Sequence, residues 1–97
     1  MRITFDPTKK ARNIAERSLP FDRIADLDWE TAVTVEDDRR DYGERRLRVM
    51  ALLGPRLHVA VITFRGDVMR VISFRKGNSK EIKRYGDEKG RRGLTAR

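Results

Sequence analysis

The hydrophobic and polar positions change their period several times along the chain, and each change marks an expected element. The segment Arg2–Phe5 predicts a short strand. Asp6 and Pro7 are typical of a helix start, with Asp at the N-cap and Pro at the first helical position. We therefore expect a helix over residues 7–17, with a small apolar face. Apolar residues recur at helical spacing from Phe21, which predicts a second short helix.

The middle of the chain has the pattern of a sheet. From Trp29 the apolar positions alternate with a period of two as far as Glu36, which predicts a strand. The charged segment 36–44 predicts a solvated loop. Three consecutive antiparallel strands, joined by tight turns, are then expected at residues 45–53, 56–64 and 68–75. The middle strand is apolar on both faces, so we expect it at the centre of the sheet.

The C-terminal end carries a helix signal followed by a basic segment. Asn78 and Glu81 have the spacing of a reciprocal N-cap pair, which predicts a helix over residues 79–85 that ends at Gly86. Residues 87–97 have little apolar content and predict a flexible basic tail.

These elements predict a single small α+β domain over residues 1–86. Two N-terminal helices, a C-terminal helix and an antiparallel sheet are expected, the sheet combining the three-strand meander with the N-terminal strands.

The net charge of +8 is concentrated near the C-terminus. Residues 70–97 hold 10 Lys+Arg against 3 Asp+Glu (+7), whereas residues 1–69 hold 13 against 12 (+1). This segregation favours an anionic partner, either nucleic acid or an acidic protein, over a basic surface that serves solubility alone.

Composition excludes several kinds of site. The chain has no cysteine, so thiolate nucleophiles, disulfides and cysteine zinc sites are excluded. It has a single histidine without clustered ligands, so neither a metal nor another cofactor is expected. There is no apolar run of the ~20 residues that a membrane span needs and no signal peptide pattern, which predicts a cytoplasmic protein without a membrane partner.

The strand at residues 68–75 carries the candidate chemistry. Strict alternation places Arg70 and Arg75 on opposite faces unless the strand is bulged. Guanidinium groups bind phosphate bidentately, and Lys76 adds a further charge. We expect Arg75, Ser73 and Lys76 to form the catalytic surface, with Arg70 at its rim. Such a face is suited to bind RNA and to stabilise the attack of a ribose 2′-hydroxyl on the neighbouring phosphorus.

Cleavage of this kind also needs groups that transfer protons. The candidates are Glu44, Glu81, His58 and Tyr85, and their spacing selects no pair among them. Helix capping is the alternative role for Glu81, and packing on the sheet is the alternative for Tyr85. His58 is more often a packed or surface residue than a catalytic one.

An ordered set of motifs over residues 2–85 resembles the BrnT family of toxins from bacterial type II toxin–antitoxin systems, which are part of the wider RelE/ParE-like group. The motifs are Phe5-Asp6-Pro7 with Lys9 and Asn13, Leu19-Pro20-Phe21, Tyr42-Gly43-Glu44-Arg45, and Arg65-Gly66-Asp67 through Arg70-Val71-Ile72-Ser73-Phe74-Arg75-Lys76 to Glu81 and Tyr85.

This resemblance implies a RelE-like fold and a ribonuclease that slows growth by cutting RNA. It also implies a co-encoded BrnA-like antitoxin, which would supply the DNA-binding domain when the complex represses its own operon. The active-site region that it implies consists of Arg45, Arg70, Ser73, Arg75, Lys76, Glu81 and Tyr85. Arg45, Lys80, Lys83 and Arg84 are expected RNA contacts.

The chain departs from the family at one place. Many relatives have Lys-His-Gly near the helix break, where this chain has Glu16-Arg17-Ser18. A histidine that could transfer a proton is therefore absent there, and Arg17 could supply only charge.

Two other functions remain open. The chain could be a non-catalytic toxin or binding module that acts on a protein target, as ParE-like relatives act on gyrase, or a nucleic-acid-binding accessory protein without toxicity. An acidic antitoxin could cover the basic face, or it could add a strand at Arg2–Phe5 or at residues 32–36.

Overall fold

A computed structural model describes the backbone of residues 2–95 and the side chains of residues 2–89. Five strands form one sheet in the order β1-β5-β4-β3-β2, and two α-helices pack against it. The elements are β1 (Arg2–Phe5), α1 (Pro7–Arg17), β2 (Val33–Glu36), β3 (Leu47–Leu53), β4 (Arg56–Arg65), β5 (Val68–Lys76) and α2 (Ser79–Thr95).

Helix α1 has the predicted bounds because its start is encoded locally. The Asp6 carboxylate accepts a hydrogen bond from the Thr8 backbone N–H at 2.8 Å, and Pro7 occupies the first turn. The second N-terminal helix is a 3₁₀ segment, Phe21–Asp26, whose Phe21 and Ile24 are buried.

The prediction of a strand that begins at Trp29 is wrong. Trp29–Thr31 forms a short 3₁₀ turn, and β2 begins at Val33. The indole N–H of Trp29 donates to the Ile24 carbonyl at 3.2 Å, and its ring packs against the core. This tertiary contact holds the segment in a turn, although its sequence alternates like a strand.

The meander of β3, β4 and β5 is confirmed, and its boundaries differ from the predicted ones by at most two residues. Strand β4 lies at the centre of the sheet, and residues 57–63 are all buried, as expected for a strand covered on both faces.

The prediction of a wholly antiparallel sheet is wrong, because β1 pairs with β5 in parallel, from Arg2 opposite Val68 to Phe5 opposite Val71. A four-residue strand carries no pattern that fixes its direction. The direction depends on α1, which lies against β5 immediately after β1 and is fixed there by Asn13, whose amide donates to the Phe74 carbonyl at 2.9 Å.

The sheet separates two apolar clusters. The larger one packs Leu19, Phe21, Ile24 and Leu27 of the N-terminal segments against one face of the sheet. The smaller one packs Tyr85 of α2 against the opposite face, at the ends of β2, β3 and β4; its other buried members are Val33, Met50, Leu57 and Val59. The second face is therefore covered by α2 at one end.

Helix α2 continues beyond its predicted end at Gly86 and runs to Thr95. A glycine inside a helix costs only about 1 kcal/mol, so it does not stop a helix on its own. Residues 96 and 97 of the expected tail lie outside the described residues. Among residues 2–95, no helix combines the length and apolar character needed to cross a membrane.

We expect Ser18→Gly to raise the free energy of unfolding by about 1 kcal/mol, measured by urea denaturation. Ser18 caps the end of α1 in the left-handed conformation, with φ 54° and ψ 35°, where glycine has no steric penalty. The control is Ala15→Gly in the exposed body of α1, which should lower stability by about 1 kcal/mol. Equal losses in the two variants would contradict the left-handed cap.

Candidate active site

A β-bulge in β5 decides which side chains share a face of the sheet. Val61 of β4 pairs with Ser73 of β5, whereas the next residue, Ile62, pairs with Val71. Ile72 is therefore an extra residue without a partner on β4. The bulge reverses the alternation along β5, so the expectation that Arg70 and Arg75 face opposite ways is wrong.

Arg70 and Arg75 lie on the same face because their partners do. Arg70 pairs with Thr63 and Arg75 pairs with Val59, and these two β4 residues are four positions apart in a regular strand. Val59 belongs to the apolar cluster beneath α2, so both arginines lie on the α2 side of the sheet.

Arg48 of β3 points to the same side, because it pairs with Val61, which in turn pairs with Ser73. Within the described residues, neither Arg48 nor Arg70 has an ion-pair or hydrogen-bond partner, and the Nε atom of Arg48 is buried without an acceptor. We call Arg48, Arg70, Ser73 and Arg75 the arginine face. It brings three guanidinium groups from two strands to one side of the sheet.

The arginine side chains also cover apolar surface. Val61 lies at the centre of the arginine face and outside the cluster beneath α2, yet it is only 7 % exposed. The aliphatic stem of Arg48, its direct neighbour on β3, is long enough to cover it.

Arg75 is held in place by the start of α2. Its Nη1 and Nη2 atoms donate to the two carboxylate oxygens of Glu81 at 2.7 and 2.8 Å. Glu81 also accepts from the Asn78 backbone N–H, and the Asn78 side chain accepts from the Glu81 N–H, each at 2.9 Å. Glu81 therefore caps the helix, which is the alternative role expected for it from the sequence, and it orients Arg75 at the same time.

The same contacts set the protonation of both groups. Hydrogen bonds from Arg75 lower the pKa of Glu81, which burial opposes, and Arg48 is close enough to lower it further. The Glu81 carboxylate in turn raises the pKa of Arg75. Glu81 is therefore ionised at neutral pH, with both of its oxygens occupied.

A second charged cluster stands beside this face, where the chain enters and leaves the loop between β2 and β3. The buried carboxylate of Asp37 accepts two hydrogen bonds from Arg39, at 2.7 and 2.9 Å, which lower its pKa to about 2. Tyr42 also donates to Asp37, and the guanidinium of Arg46 lies 4.0 Å from the centre of the Tyr42 ring. The positive charge of Arg39 also reaches Arg75, where it opposes the rise in the Arg75 pKa that Glu81 causes.

A family model described as the ribonuclease toxin, BrnT, of type II toxin–antitoxin systems matches residues 5–81 of the 97. The chain belongs to the BrnT family. Neither the curated proteins nor the solved structures that were searched gave a match. The resemblance inferred from the motifs is thereby confirmed, and family membership makes the chain a ribonuclease toxin with an antitoxin partner and an RNA target.

The BrnT domain brings together only part of the predicted site. Arg70, Ser73 and Arg75 share the arginine face, with Glu81 at its edge. Lys76 pairs with His58 on the opposite side of the sheet and is exposed.

Tyr85 packs in the cluster beneath α2, and its hydroxyl lies 3.2 Å from the Thr31 hydroxyl. The buried ring has no open face on which a base could stack. This position favours packing on the sheet as its role.

His58 lies on the face beneath the N-terminal segments, 5.5 Å from the Phe74 ring, where burial lowers its pKa. It is separated from the arginine face by the sheet itself. Glu44 forms an ion pair with Arg46 at 3.5 Å, beside the loop cluster.

The expected RNA contacts are spread over the surface. Arg45 is largely exposed and pairs with Glu36 at 3.4 Å. Lys80, Lys83 and Arg84 are exposed on α2, and two of them, Lys80 and Lys83, lie on the side of the helix away from buried Tyr85.

Sequence reasoning missed Arg48 and Arg46. Both alternate with the apolar residues Leu47 and Val49, which is the pattern of a strand with one charged face. That alternation could have identified them, but it does not show which other strand shares their face.

The ion pair of Glu81 with Arg75 predicts a specific pH dependence. Because the pKa of Glu81 is lowered from 4.5 in the folded protein, its contribution to stability is full at neutral pH and is lost as the pH falls below about 5. The difference in unfolding free energy between wild type and Glu81→Gln should be large at pH 7 and should shrink towards pH 3, by urea denaturation.

The control removes the partner. In the Arg75→Ala background, the same Glu81→Gln substitution should show much weaker pH dependence. An undiminished pH dependence there would show that Arg75 is not the cause of the lowered pKa.

Proposed function

We propose that this BrnT toxin cleaves single-stranded RNA on the arginine face without a metal ion, and that the domain is RelE-like. The observation that supports this most is the convergence of Arg48, Arg70 and Arg75 on one side of the sheet, with Arg75 fixed in orientation by Glu81. Guanidinium groups held in place before the reaction stabilise the charge that develops on phosphorus without reorganisation.

In the proposed reaction the ribose 2′-oxygen bonds to the adjacent phosphorus while the bond from phosphorus to the 5′-oxygen breaks. The products are a 2′,3′-cyclic phosphate and a 5′-hydroxyl. Arg75, Arg70 and Arg48 stabilise the additional negative charge of the five-coordinate phosphorus, and Ser73 donates a hydrogen bond to one of its oxygens. Water accepts the proton of the 2′-hydroxyl and supplies a proton to the leaving 5′-oxygen.

Glu81 is assigned to orient Arg75 rather than to accept a proton. A carboxylate with a lowered pKa and two occupied oxygens is a weak base. Among residues 2–89, no group of His, Asp and Glu side chains is arranged to hold a metal ion, and the proposed reaction uses none.

One observation favours a second candidate function. Of the four predicted acid–base residues, Tyr85 and His58 are buried, whereas Glu81 and Glu44 are ion-paired with Arg75 and Arg46. A non-catalytic toxin that binds a protein target would need no proton-transfer group. An RNA-cleavage assay with the purified protein distinguishes the two functions.

We expect Arg75→Ala and Arg48→Ala each to lower the rate of RNA cleavage by about 100-fold or more, since loss of one group that stabilises the transition state has effects of this size. The assay is cleavage of total RNA by purified protein in EDTA, with growth arrest measured in parallel. Arg23→Ala is the matched control, because Arg23 is an exposed arginine paired with Asp26 outside the arginine face.

Wild-type cleavage by both Arg48→Ala and Arg75→Ala would rule out the arginine face as the active site. Growth arrest without any RNA cleavage would favour the non-catalytic function instead.

The partner is proposed to be an acidic BrnA-like antitoxin that acts with the toxin in the cytoplasm. The +8 chain favours fast association with an acidic protein, and a partner that covers the arginine face would exclude RNA. Among residues 2–95, strands β1 and β2 each pair with a single neighbouring strand, so each offers an edge to an added strand.

We expect operator DNA to be retarded in a gel by the toxin–antitoxin complex and not by the toxin alone, because the antitoxin is proposed to carry the DNA-binding domain. The comparison uses the operator and an unrelated fragment of equal length at physiological salt. Specific retardation by the toxin alone would contradict this division of roles.

A further inference from the structure

A groove lies between α1 and the second half of β5, outside the arginine face. Strand β1 leaves the edge of β5 after Phe5 pairs with Val71, and α1 occupies the position beyond it. Asn13 is buried at 4 % exposure, and its amide donates to the carbonyls of Phe74 and Leu19 at 2.9 and 2.8 Å. The helix is therefore fixed against the strand edge, and the groove is a formed feature of the fold.

The groove consists of two clefts that meet at Arg17. The larger, of about 580 Å³, is lined by Arg17, Arg75 and Lys76 among others. The smaller, of about 150 Å³, is lined by Lys9, Arg12, Arg17 and Ser73 among others. Glu16 is the acidic residue of the lining.

Apart from Arg75, which is paired with Glu81, the cations of this groove have no carboxylate partners among the described residues. Within the described residues, none of Lys9, Arg12, Arg17 and Lys76 takes part in an ion pair, and Arg17 instead donates to the Asn13 side-chain oxygen at 2.7 Å. Lys10 is adjacent in sequence but points elsewhere and pairs with Asp22 at 3.1 Å.

Helical spacing explains this gathering of charge. Lys9, Asn13 and Arg17 follow one another at intervals of four residues, and Asn13 holds that side of α1 against β5. Arg12 lies three residues after Lys9 and borders the same side. An anion bound between α1 and β5 would find four uncompensated positive charges.

The groove is continuous with the arginine face. Ser73 lines the smaller cleft and Arg75 lines the larger one, and both belong to the arginine face. A chain that crosses the sheet at these two residues would pass round the edge of β5 and reach α1.

We propose that this groove binds the phosphodiester backbone of single-stranded RNA next to the nucleotides on the arginine face. A single strand is flexible enough to turn round one strand edge, and uncompensated cations along a groove are suited to its backbone. Lys9 to Arg17 spans about 12 Å of helix, roughly three nucleotides at the stacked spacing of ~3.4 Å. The inference rests on the proposed ribonuclease function and adds a requirement for substrate length.

The test compares the full chain with Lys9→Ala/Arg12→Ala. The matched control is Lys10→Ala/Arg23→Ala, which removes the same two residue types where each is paired with an aspartate. Binding is measured by fluorescence anisotropy over a range of salt, with 2′-O-methyl RNA of 4 and 12 nucleotides, which cannot be cleaved through a 2′-hydroxyl. Circular dichroism checks that all variants are folded.

We expect the groove variant to bind the 12-nucleotide RNA about tenfold more weakly at low salt. Its slope of log affinity against log salt should fall by about 1.4, the loss of two phosphate contacts on a single strand. Binding of the 4-nucleotide RNA should be unchanged, and the control variant should resemble wild type with both RNAs.

An unchanged salt slope, or an equal loss with both RNA lengths, would overturn the groove as a backbone site. Weaker inhibition of the groove variant by the acidic partner, with RNA binding intact, would also overturn it and assign the surface to the antitoxin. The RNA-cleavage assay on the wild-type protein separates failure of the groove proposal from failure of the proposed function. If the wild-type protein does not cut RNA, the ribonuclease function is refuted, whatever the groove binds.

Discussion

The arrangement of charge in this protein depends on one extra residue in β5. Phe74 must face the apolar layer beneath the N-terminal segments, and strict alternation from it would place Arg70 in that layer as well. An unpaired guanidinium there would cost of the order of several kcal/mol. The bulge at Ile72 avoids this cost and places Arg70 beside Ser73 on the face that holds Arg75. Bulges also bend the strand, and this one lies where β1 ends and α1 takes its place.

Glu81 connects the fold to the candidate site. The Glu81 carboxylate caps α2 by accepting a hydrogen bond from the Asn78 backbone N–H, and it also accepts hydrogen bonds from Nη1 and Nη2 of Arg75. The orientation of Arg75 therefore depends on the correct start of a helix whose Tyr85 packs four residues further on. Because the same contacts begin α2 and orient Arg75, the geometry of the candidate site is lost when α2 detaches from the sheet.

Local signals predicted much of the fold. Asp6 and Pro7 fix the start of α1, and the apolar runs separated by glycine turns fix the meander. What failed depends on packing: Trp29 lies in a turn, where its indole bonds to Ile24 and its ring packs against the core, and β1 is parallel because of how α1 packs.

The candidate site was harder to predict than the fold, because the register between neighbouring strands decides which side chains share a face of the sheet. The spacing of Met69, Val71 and Phe74 already departs from strict alternation and was a signal for the bulge. Arg48 reaches the site only through pairing across β4, which no local pattern contains. Arg75 and Glu81 were identified, but their mutual contact follows from the turn between β5 and α2.

The covered position of Val61 has a consequence for what the arginine face can recognise. If RNA binds on the arginine face as proposed, movement of Arg48 towards a phosphate would uncover Val61, and inorganic phosphate or a simple polyanion would leave the valine in water. A nucleotide whose sugar or base settles on Val61 replaces that cover. On the proposed function, apolar contact would let the face distinguish a nucleotide chain from charge alone, and nucleotide binding would show the negative heat-capacity change that accompanies burial of apolar surface.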